Sequence, residues 1–90
     1  MVVYLDGARV RTRKGLHNFL QSALELPEYY GRNLDALYDC LTDLHRETEL
    51  VVQRPAALEK RLGFYAKSFF IVLRRASQEN ELFTVRVEAE

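Results

Sequence analysis

Hydrophobic positions recur with helical spacing in two stretches of the first half of the chain. Between residues 16 and 24 they follow the i, i+3, i+4, i+7 pattern of an amphipathic helix, after Thr12 as a candidate N-cap and before Pro27 as a stop. A second stripe follows Asn33, which is again a preferred N-cap residue. Its members are Leu34, Leu37, Tyr38, Leu41 and Leu44. The pattern therefore predicts two consecutive helices, each with one buried face.

Short apolar runs predict three strands. Residues 2–5 form such a run, closed by Asp6-Gly7, and predict a buried strand that ends in a turn. Residues 50–52 predict a second strand. Apolar and polar residues alternate over residues 83–88, which predicts a third strand with one exposed face at a sheet edge.

Two more helices are predicted between the second and third strands. Pro55, at a first-turn position, opens one that stops at Gly63, and the apolar spacing from Tyr65 to Ala76 indicates another that ends near Asn80. The element order is then strand, two helices, strand, two helices, strand. Connections of this length favour parallel pairing with right-handed crossovers. The sequence thus predicts an α/β fold with a three-stranded parallel sheet and about four helices packed on it.

Length and composition indicate one soluble domain over residues 1–90. The chain is 48% hydrophobic and 29% charged, and no apolar stretch approaches the ~20 residues that a membrane helix needs. The first residues carry no export signal, so we expect a cytoplasmic protein without a membrane partner. The single Cys40 agrees with this, because one cysteine can form neither an internal disulfide nor an all-cysteine metal site.

The charges are balanced in number but segregated along the chain. There are 13 basic and 13 acidic residues, yet residues 25–49 hold seven acids and two bases, a local charge of −5. The compensating bases lie mostly outside that window, beginning with Arg9, Arg11, Arg13 and Lys14. An acidic surface repels nucleic acid and attracts basic proteins. We therefore expect a protein partner and no direct contact with nucleic acid.

Three acids on the second predicted helix stack on its solvent side. Asp35, Asp39 and Asp43 are four residues apart, and each like-charged pair destabilises a helix by about 0.2–0.5 kcal/mol. An ordinary solvated face is one interpretation of this pattern. The aromatic loop Tyr29-Tyr30-Gly31 just before the helix favours a binding surface, because exposed aromatic residues mark interfaces. We expect at least Tyr30 to pack into the core.

A catalytic interpretation of Asp35 and Asp39, as an acid–base or metal-bridging pair, is the alternative from another class of function. A convex helix face without a pocket disfavours it. We expect His17 at the surface or its border, His45 in favourable contact with the C-terminus of the second helix, and Cys40 as a half-buried, inert thiol. No catalytic, metal or cofactor site and no small-molecule substrate is predicted.

Residues 26–42, LPEYYGRNLDALYDCLT, closely resemble the barstar family of intracellular inhibitors of secreted bacterial ribonucleases. Weaker similarity extends over nearly the whole chain, including Leu16-His17 and Val72-Leu73-Arg74. The resemblance implies a two-layer α/β fold and no enzymatic activity. It implies a heterodimer with a basic microbial ribonuclease, whose active site is plugged by the loop and the second helix. An immunity protein for a different nuclease toxin, or a small metal-assisted hydrolase, stays open as an alternative.

The resemblance also implies roles for individual residues. Asp39 would occupy the position of an RNA phosphate, Tyr29 would stack on the catalytic histidine, and Asp35 would pair with an arginine or with backbone donors. The full set of implied partner-binding residues is Tyr29, Gly31, Asn33, Leu34, Asp35, Tyr38, Asp39, Thr42, Asp43 and Glu79. Departures from the family pattern are Tyr38 for a tryptophan, Leu44 for an aromatic residue, Asp43 for a glycine, Arg75 for a glutamate and Glu81 for a cysteine.

Overall fold

A computed structural model describes residues 1–88 and contains a three-stranded parallel sheet with four α-helices. The strands are β1 (Val2–Asp6), β2 (Thr48–Gln53) and β3 (Phe83–Val87), in the order β1-β2-β3. The helices are α1 (Arg13–Ala23) and α2 (Leu34–Thr42) between the first two strands, and α3 (Pro55–Leu62) and α4 (Phe64–Glu79) between the last two. This confirms the predicted α/β fold, including the edge position of the last strand.

The helices cover one face of the sheet. Both crossovers step one strand in the same direction, so right-handed connections carry all four helices to the same side. On that side Val3 and Leu50 are register partners and belong to the hydrophobic core. On the other side Val2 is 52% and Tyr4 is 55% exposed. The prediction of a buried first strand is therefore wrong for one of its faces, because no second layer of helices covers it.

The start of α1 agrees with the sequence prediction, whereas its end does not. Its start is as predicted, because the Thr12 side chain accepts a hydrogen bond of 2.9 Å from the Gly15 amide. Its last residue, Ala23, lies four residues before Pro27, where the sequence predicted the end. Glu25 has a φ of 54°, and the amide of Leu26 donates to the carbonyl of Gln21 at 2.9 Å. This is the Schellman arrangement that closes a helix, with glutamate at the position that glycine usually holds.

The end of α2 corrects two further expectations. The helix stops at Thr42 with Asp43 as its C-cap, so Leu44 packs against the core from the following loop and not from the helix. His45 is exposed and its Nε2 lies 3.9 Å from an Asp43 carboxylate oxygen. The amide group of Asn80 instead donates to the carbonyls of Leu41 and Leu44, at 3.0 and 3.1 Å. Asn80 therefore supplies the capping contact that was expected from His45.

Within residues 1–88, no helix combines the length and the apolar character needed to cross a membrane.

Candidate protein-binding site

The exposed face of α2 carries the three stacked carboxylates. Asp35, Asp39 and Asp43 are exposed, whereas Leu37 and Leu41 on the opposite side of the helix are fully buried. Asp35 lies in the first turn, where the helix dipole favours a negative charge. Asp43 is the C-cap, where the dipole disfavours it. The helix thus keeps an acid at a position where its own stability favours a base.

Two open grooves flank this acidic face. One, of about 690 Å³, separates the second half of α2 from the segment after α1, and Tyr29, Asp39, Thr42 and Asp43 are among its lining residues. The other, of about 350 Å³, lies between α2 and α4. Among the described residues, Asp39 is the one that lines both. A side chain inserted into either groove would therefore meet the Asp39 carboxylate.

In the part of the chain that the structure describes, no cation forms an ion pair with the centre of the acidic face. Among the ion pairs of residues 1–88, none includes Asp35 or Asp39, and Asp43 has only the neighbouring His45 at 3.9 Å. A nearby cation is found at the border, where Arg46 pairs with Glu25 at 3.2 Å. The two central carboxylates are thus free to accept hydrogen bonds from outside the chain.

The loop before α2 holds one aromatic ring in solvent and one in the core. Tyr29 is 86% exposed and Tyr30 is 5% exposed, which confirms the expectation for Tyr30. The amide of Tyr30 donates to the carbonyl of Pro27 at 3.0 Å, which closes a turn. Exposure of a large aromatic side chain on an ordered loop costs hydrophobic free energy in the isolated chain. A partner that covers Tyr29 recovers that free energy.

Gln21 on α1 ties both ends of the loop to the scaffold. Its side-chain nitrogen donates to the carbonyl of Pro27 at 3.0 Å, and its oxygen accepts from the guanidinium of Arg32 at 2.8 and 3.2 Å. Arg32 itself has a φ of 54°, in the left-handed region. These contacts fix the loop before any partner arrives. The role of Gln21 could not be predicted from the sequence, because a glutamine on a helix is ordinarily a solvated residue.

His17 is the buried anchor of the loop, which corrects its expected surface position. It is 1% exposed, and its two ring nitrogens lie 2.5 Å from the hydroxyl of Tyr30 and 2.6 Å from the hydroxyl of Tyr65. The guanidinium of Arg13 lies 4.3 Å from the centre of the Tyr65 ring. His17 thereby joins α1, the loop and α4. Two phenol groups satisfy its polar atoms, so its burial is not penalised as that of an unpaired polar group would be.

Burial sets the protonation of these groups. It lowers the pKa of His17 below its ordinary value and raises the pKa values of Tyr30 and Tyr65. Burial, followed by the charges of Asp39 and Asp43, also raises the pKa of the Cys40 thiol. Cys40 is half-buried as predicted, and the raised pKa keeps its thiol protonated at neutral pH.

Several of the predicted contact residues are engaged within the chain. The Asn33 side chain accepts from the Ala36 amide at 2.8 Å and donates to the Gly31 carbonyl at 3.2 Å. A Cβ at Gly31 would lie 3.2 Å from the side-chain nitrogen of Asn33, so this side chain packs closely against the Gly31 backbone. The Thr42 hydroxyl donates to carbonyls of the preceding turn, at 2.9 and 3.1 Å. These groups shape the site from within.

The remaining predicted residues divide between the grooves and their surroundings. Tyr38 is half-buried and lines the groove between α2 and α4, together with Asp35. Leu34 is half-buried and packs against the core. Glu79 is exposed at the last residue of α4 and lines neither groove. Arg75 lines the groove where the pattern of the family has a glutamate.

The described residues provide no ready metal site. Within residues 1–88, no three His, Cys, Asp or Glu side chains are grouped so that they could hold a metal ion together. In particular, Asp35, Asp39 and Asp43 do not converge, because they follow one another along a convex helix face.

Comparison with known proteins places the chain in a family. The family model described as "Barstar (barnase inhibitor)" matches residues 1–90. The chain is also 37% identical over 78 residues to a protein of Bacillus subtilis (strain 168) named "Putative ribonuclease inhibitor YrdF", with 86% of each chain covered. The chain belongs to the barstar family.

Proposed function

We propose that the chain inhibits a basic extracellular-type ribonuclease by occluding the enzyme's active site with the exposed face of α2 and the preceding loop. The family and the name of the Bacillus relative support the class of partner. One observation carries the mode of binding: Asp39 lies on the ridge between two grooves and has no internal cation among the described residues. In this proposal the chain is not an enzyme. It forms a one-to-one complex with the ribonuclease in the cytoplasm and so protects the cell that produces the enzyme.

Asp39 is the phosphate mimic in this proposal. A ribonuclease active site presents Arg, Lys and His side chains to the phosphate of its substrate. A carboxylate held by a helix accepts the same charge-assisted hydrogen bonds, which are about twice as strong as neutral ones. The carboxylate carries no scissile bond, so the enzyme is blocked and the inhibitor is not consumed. Asp35, one turn away on the same face, accepts from cationic or backbone donors at the mouth of the site.

The loop makes the complementary apolar contact. Tyr29 stacks on the catalytic histidine, and its large exposed ring supports that role. Because Gln21 and His17 already hold the loop, little conformational entropy is lost when the ring is buried. Asn33 and Gly31 orient the start of α2, and they present their remaining polar atoms to the enzyme.

The other contact residues surround this centre. Tyr38 and Leu34 cover the enzyme's surface beside the Asp35 end of the helix. The Thr42 oxygen accepts a hydrogen bond, since its own proton is used internally. Asp43 and Glu79 lie at the solvated edge, where charges contribute mainly to the rate of encounter.

The test compares Asp39→Ala with the matched variant Asp43→Ala, using barnase and further basic microbial ribonucleases. We expect Asp39→Ala to weaken binding by about 2–5 kcal/mol, because it leaves desolvated cations unpaired. Asp43→Ala should cost about 1 kcal/mol or less, as for an exposed pair. Neither exposed substitution should lower the melting temperature, and Asp43→Ala should raise it because it removes an acid from the C-terminal end of the helix; thermal unfolding monitors this.

Distinct outcomes contradict the proposal. Equal losses from the two variants would refute the phosphate mimic. If the wild-type chain inhibits none of the ribonucleases, the proposed function itself is wrong. Calorimetric titration with Mg²⁺ and Mn²⁺ addresses the hydrolase alternative, because a metal enzyme should bind such ions and an inhibitor of this kind should not.

A further inference from the structure

The groove between α2 and α4 has walls of different chemistry. One wall, from α2, is acidic and aromatic; the other, from α4, is apolar and basic. The lining residues are Asp35, Tyr38 and Asp39 on the first wall, and Ile71, Val72 and Arg75 on the second. Ile71 is 50% exposed, which is unusual for an isoleucine in the middle of a helix. The groove therefore joins the acidic face to an uncovered apolar and cationic strip.

The two charge signs in the groove do not neutralise each other. Arg75 takes part in none of the ion pairs of residues 1–88, and neither do Asp35 and Asp39. An exposed arginine on the same helix, Arg74, does not line the groove. The Arg75 guanidinium is thus available to an external acceptor at the edge of the proposed inhibitory surface.

We propose that Arg75 binds a carboxylate on the rim of the ribonuclease, beside an apolar side chain that covers Ile71. This inference rests on the proposed function and specifies its partner: an enzyme whose cationic cleft is bordered by an acidic residue on the side that meets α4. The recognition is polar and bidentate, since a guanidinium matches the two oxygens of a carboxylate.

A uniformly basic partner does not fit this surface. Docking of Asp39 into the enzyme also covers the groove, because Asp39 is one of the lining residues. A basic side chain opposite Arg75 would then place two like charges together with little water between them, which lowers the affinity by about tenfold or more. An unpaired buried guanidinium would be unfavourable as well. A carboxylate on the enzyme avoids both the like-charge repulsion and the unpaired guanidinium.

Charge reversal at Arg75 should change the affinity in opposite directions for a uniformly basic partner and for a partner with a carboxylate opposite Arg75. The surface around Asp39 is acidic, so Arg75→Glu makes the inhibitor more negative. With a uniformly basic partner, this change strengthens attraction and tightens the complex. With a carboxylate opposite Arg75, the same change brings like charges together and accelerates dissociation.

The experiment measures association and dissociation rates of four variants: Arg75→Glu, Arg75→Gln, the matched control Arg74→Glu, and Asp39→Ala. The probe is the ribonuclease that wild type inhibits most strongly in a panel of basic microbial enzymes that includes barnase. We expect Arg75→Glu to dissociate about tenfold faster or more, and Arg75→Gln to fall between it and wild type. Arg74→Glu should bind as tightly as wild type or slightly tighter.

Unchanged or tighter binding of Arg75→Glu overturns the inference. Equal weakening by Arg74→Glu overturns it too, because the effect would not belong to the groove. If Asp39→Ala loses binding while Arg75→Glu does not, the proposed function stands and this inference fails. If Asp39→Ala binds like wild type, or if no enzyme of the panel is inhibited, the proposed function fails and the inference falls with it.

Discussion

Acid should destabilise the fold through His17. In the folded chain burial lowers the pKa of this imidazole below its ordinary 6.5, so the unfolded chain binds the proton more readily. Neutral imidazole has one donor and one acceptor, which suits two tyrosine hydroxyls. The protonated ring has two donors, so the hydroxyl that previously donated to it must lose its acceptor. Arg13, close to the Tyr65 ring, adds a positive charge to the same surroundings.

The expected magnitude follows from linkage. Well above pH 6.5 both states are neutral at His17 and its contribution to stability is complete. As the pH falls from 6.5 through the lowered folded pKa, the unfolded state holds more protons and the free energy of unfolding decreases. One proton gives a slope of at most about 1.36 kcal/mol per pH unit. Carboxylates of ordinary pKa contribute little above about pH 5.5.

Urea unfolding of wild type and His17→Gln between pH 5.5 and 7.5 is the assay. Glutamine also offers a donor and an acceptor, and it does not titrate, so the variant should show a flatter slope at lower absolute stability. His45→Gln is the matched control, because His45 is exposed and should leave the wild-type slope intact. Titration of the His17 ring by NMR gives a readout that does not depend on the variant folding. Parallel slopes for wild type and His17→Gln would refute the reasoning.

Three further predictions follow from the charge distribution and the backbone. The association rate constant with the ribonuclease should exceed the roughly 10⁵–10⁶ M⁻¹s⁻¹ of an unassisted encounter. It should decline as salt is raised from about 10 mM to 1 M, because the Debye length contracts from about 30 to 3 Å. A rate constant that stays flat in a stopped-flow salt series would contradict this. Gly7→Ala should lower the free energy of unfolding by about 1–3 kcal/mol or more, since a Cβ would lie 2.3 Å from the Arg54 carbonyl oxygen, and unchanged urea unfolding would disprove this. Glu25→Gly should raise the free energy of unfolding by about 0.5–1 kcal/mol, because relief of the left-handed strain outweighs the greater flexibility of glycine in the unfolded chain. A lower free energy of unfolding would mean that the exposed ion pair of Glu25 with Arg46 is stronger than such pairs usually are.

The starts of α1 and α2 could be predicted because their signals are local. Thr12 and Asn33 accept from amides three residues ahead, within the same turn of chain. The end of α1 could not be located in this way. It depends on Glu25 adopting a left-handed conformation, which the residue type itself disfavours. Predicting that helices cover only one face of the sheet requires the handedness of the two successive crossovers. The apolar residues of β1 alone indicated, wrongly, that both of its faces are buried.

The scaffold of the site was hidden from the sequence for a different reason. His17 is 13 residues from Tyr30 and 48 residues from Tyr65, and Asn80 is 39 residues from the Leu41 carbonyl that it caps. Such contacts exist after the chain has folded and leave no periodic signal. The acidic helix face, by contrast, was readable from spacing because its residues share a helix. Contact residues carried by one element were thus easier to foresee than the residues that hold that element in place.

The energetics of α2 connect this scaffold to the proposed function. Each stacked acid pair costs about 0.2–0.5 kcal/mol. An acid at the C-cap costs roughly another 0.3–1 kcal/mol against the helix dipole. A lysine in place of Asp43 would turn both terms favourable, so stability alone selects against the residues that the helix carries. The helix tolerates them because Asn33 caps its start, Asn80 caps its end, and Leu37 and Leu41 are fully buried beneath it. A surface that is unfavourable when free, on a helix held in place by its two caps and by its buried side, is the arrangement expected when its charges gain their stabilisation from a cationic partner.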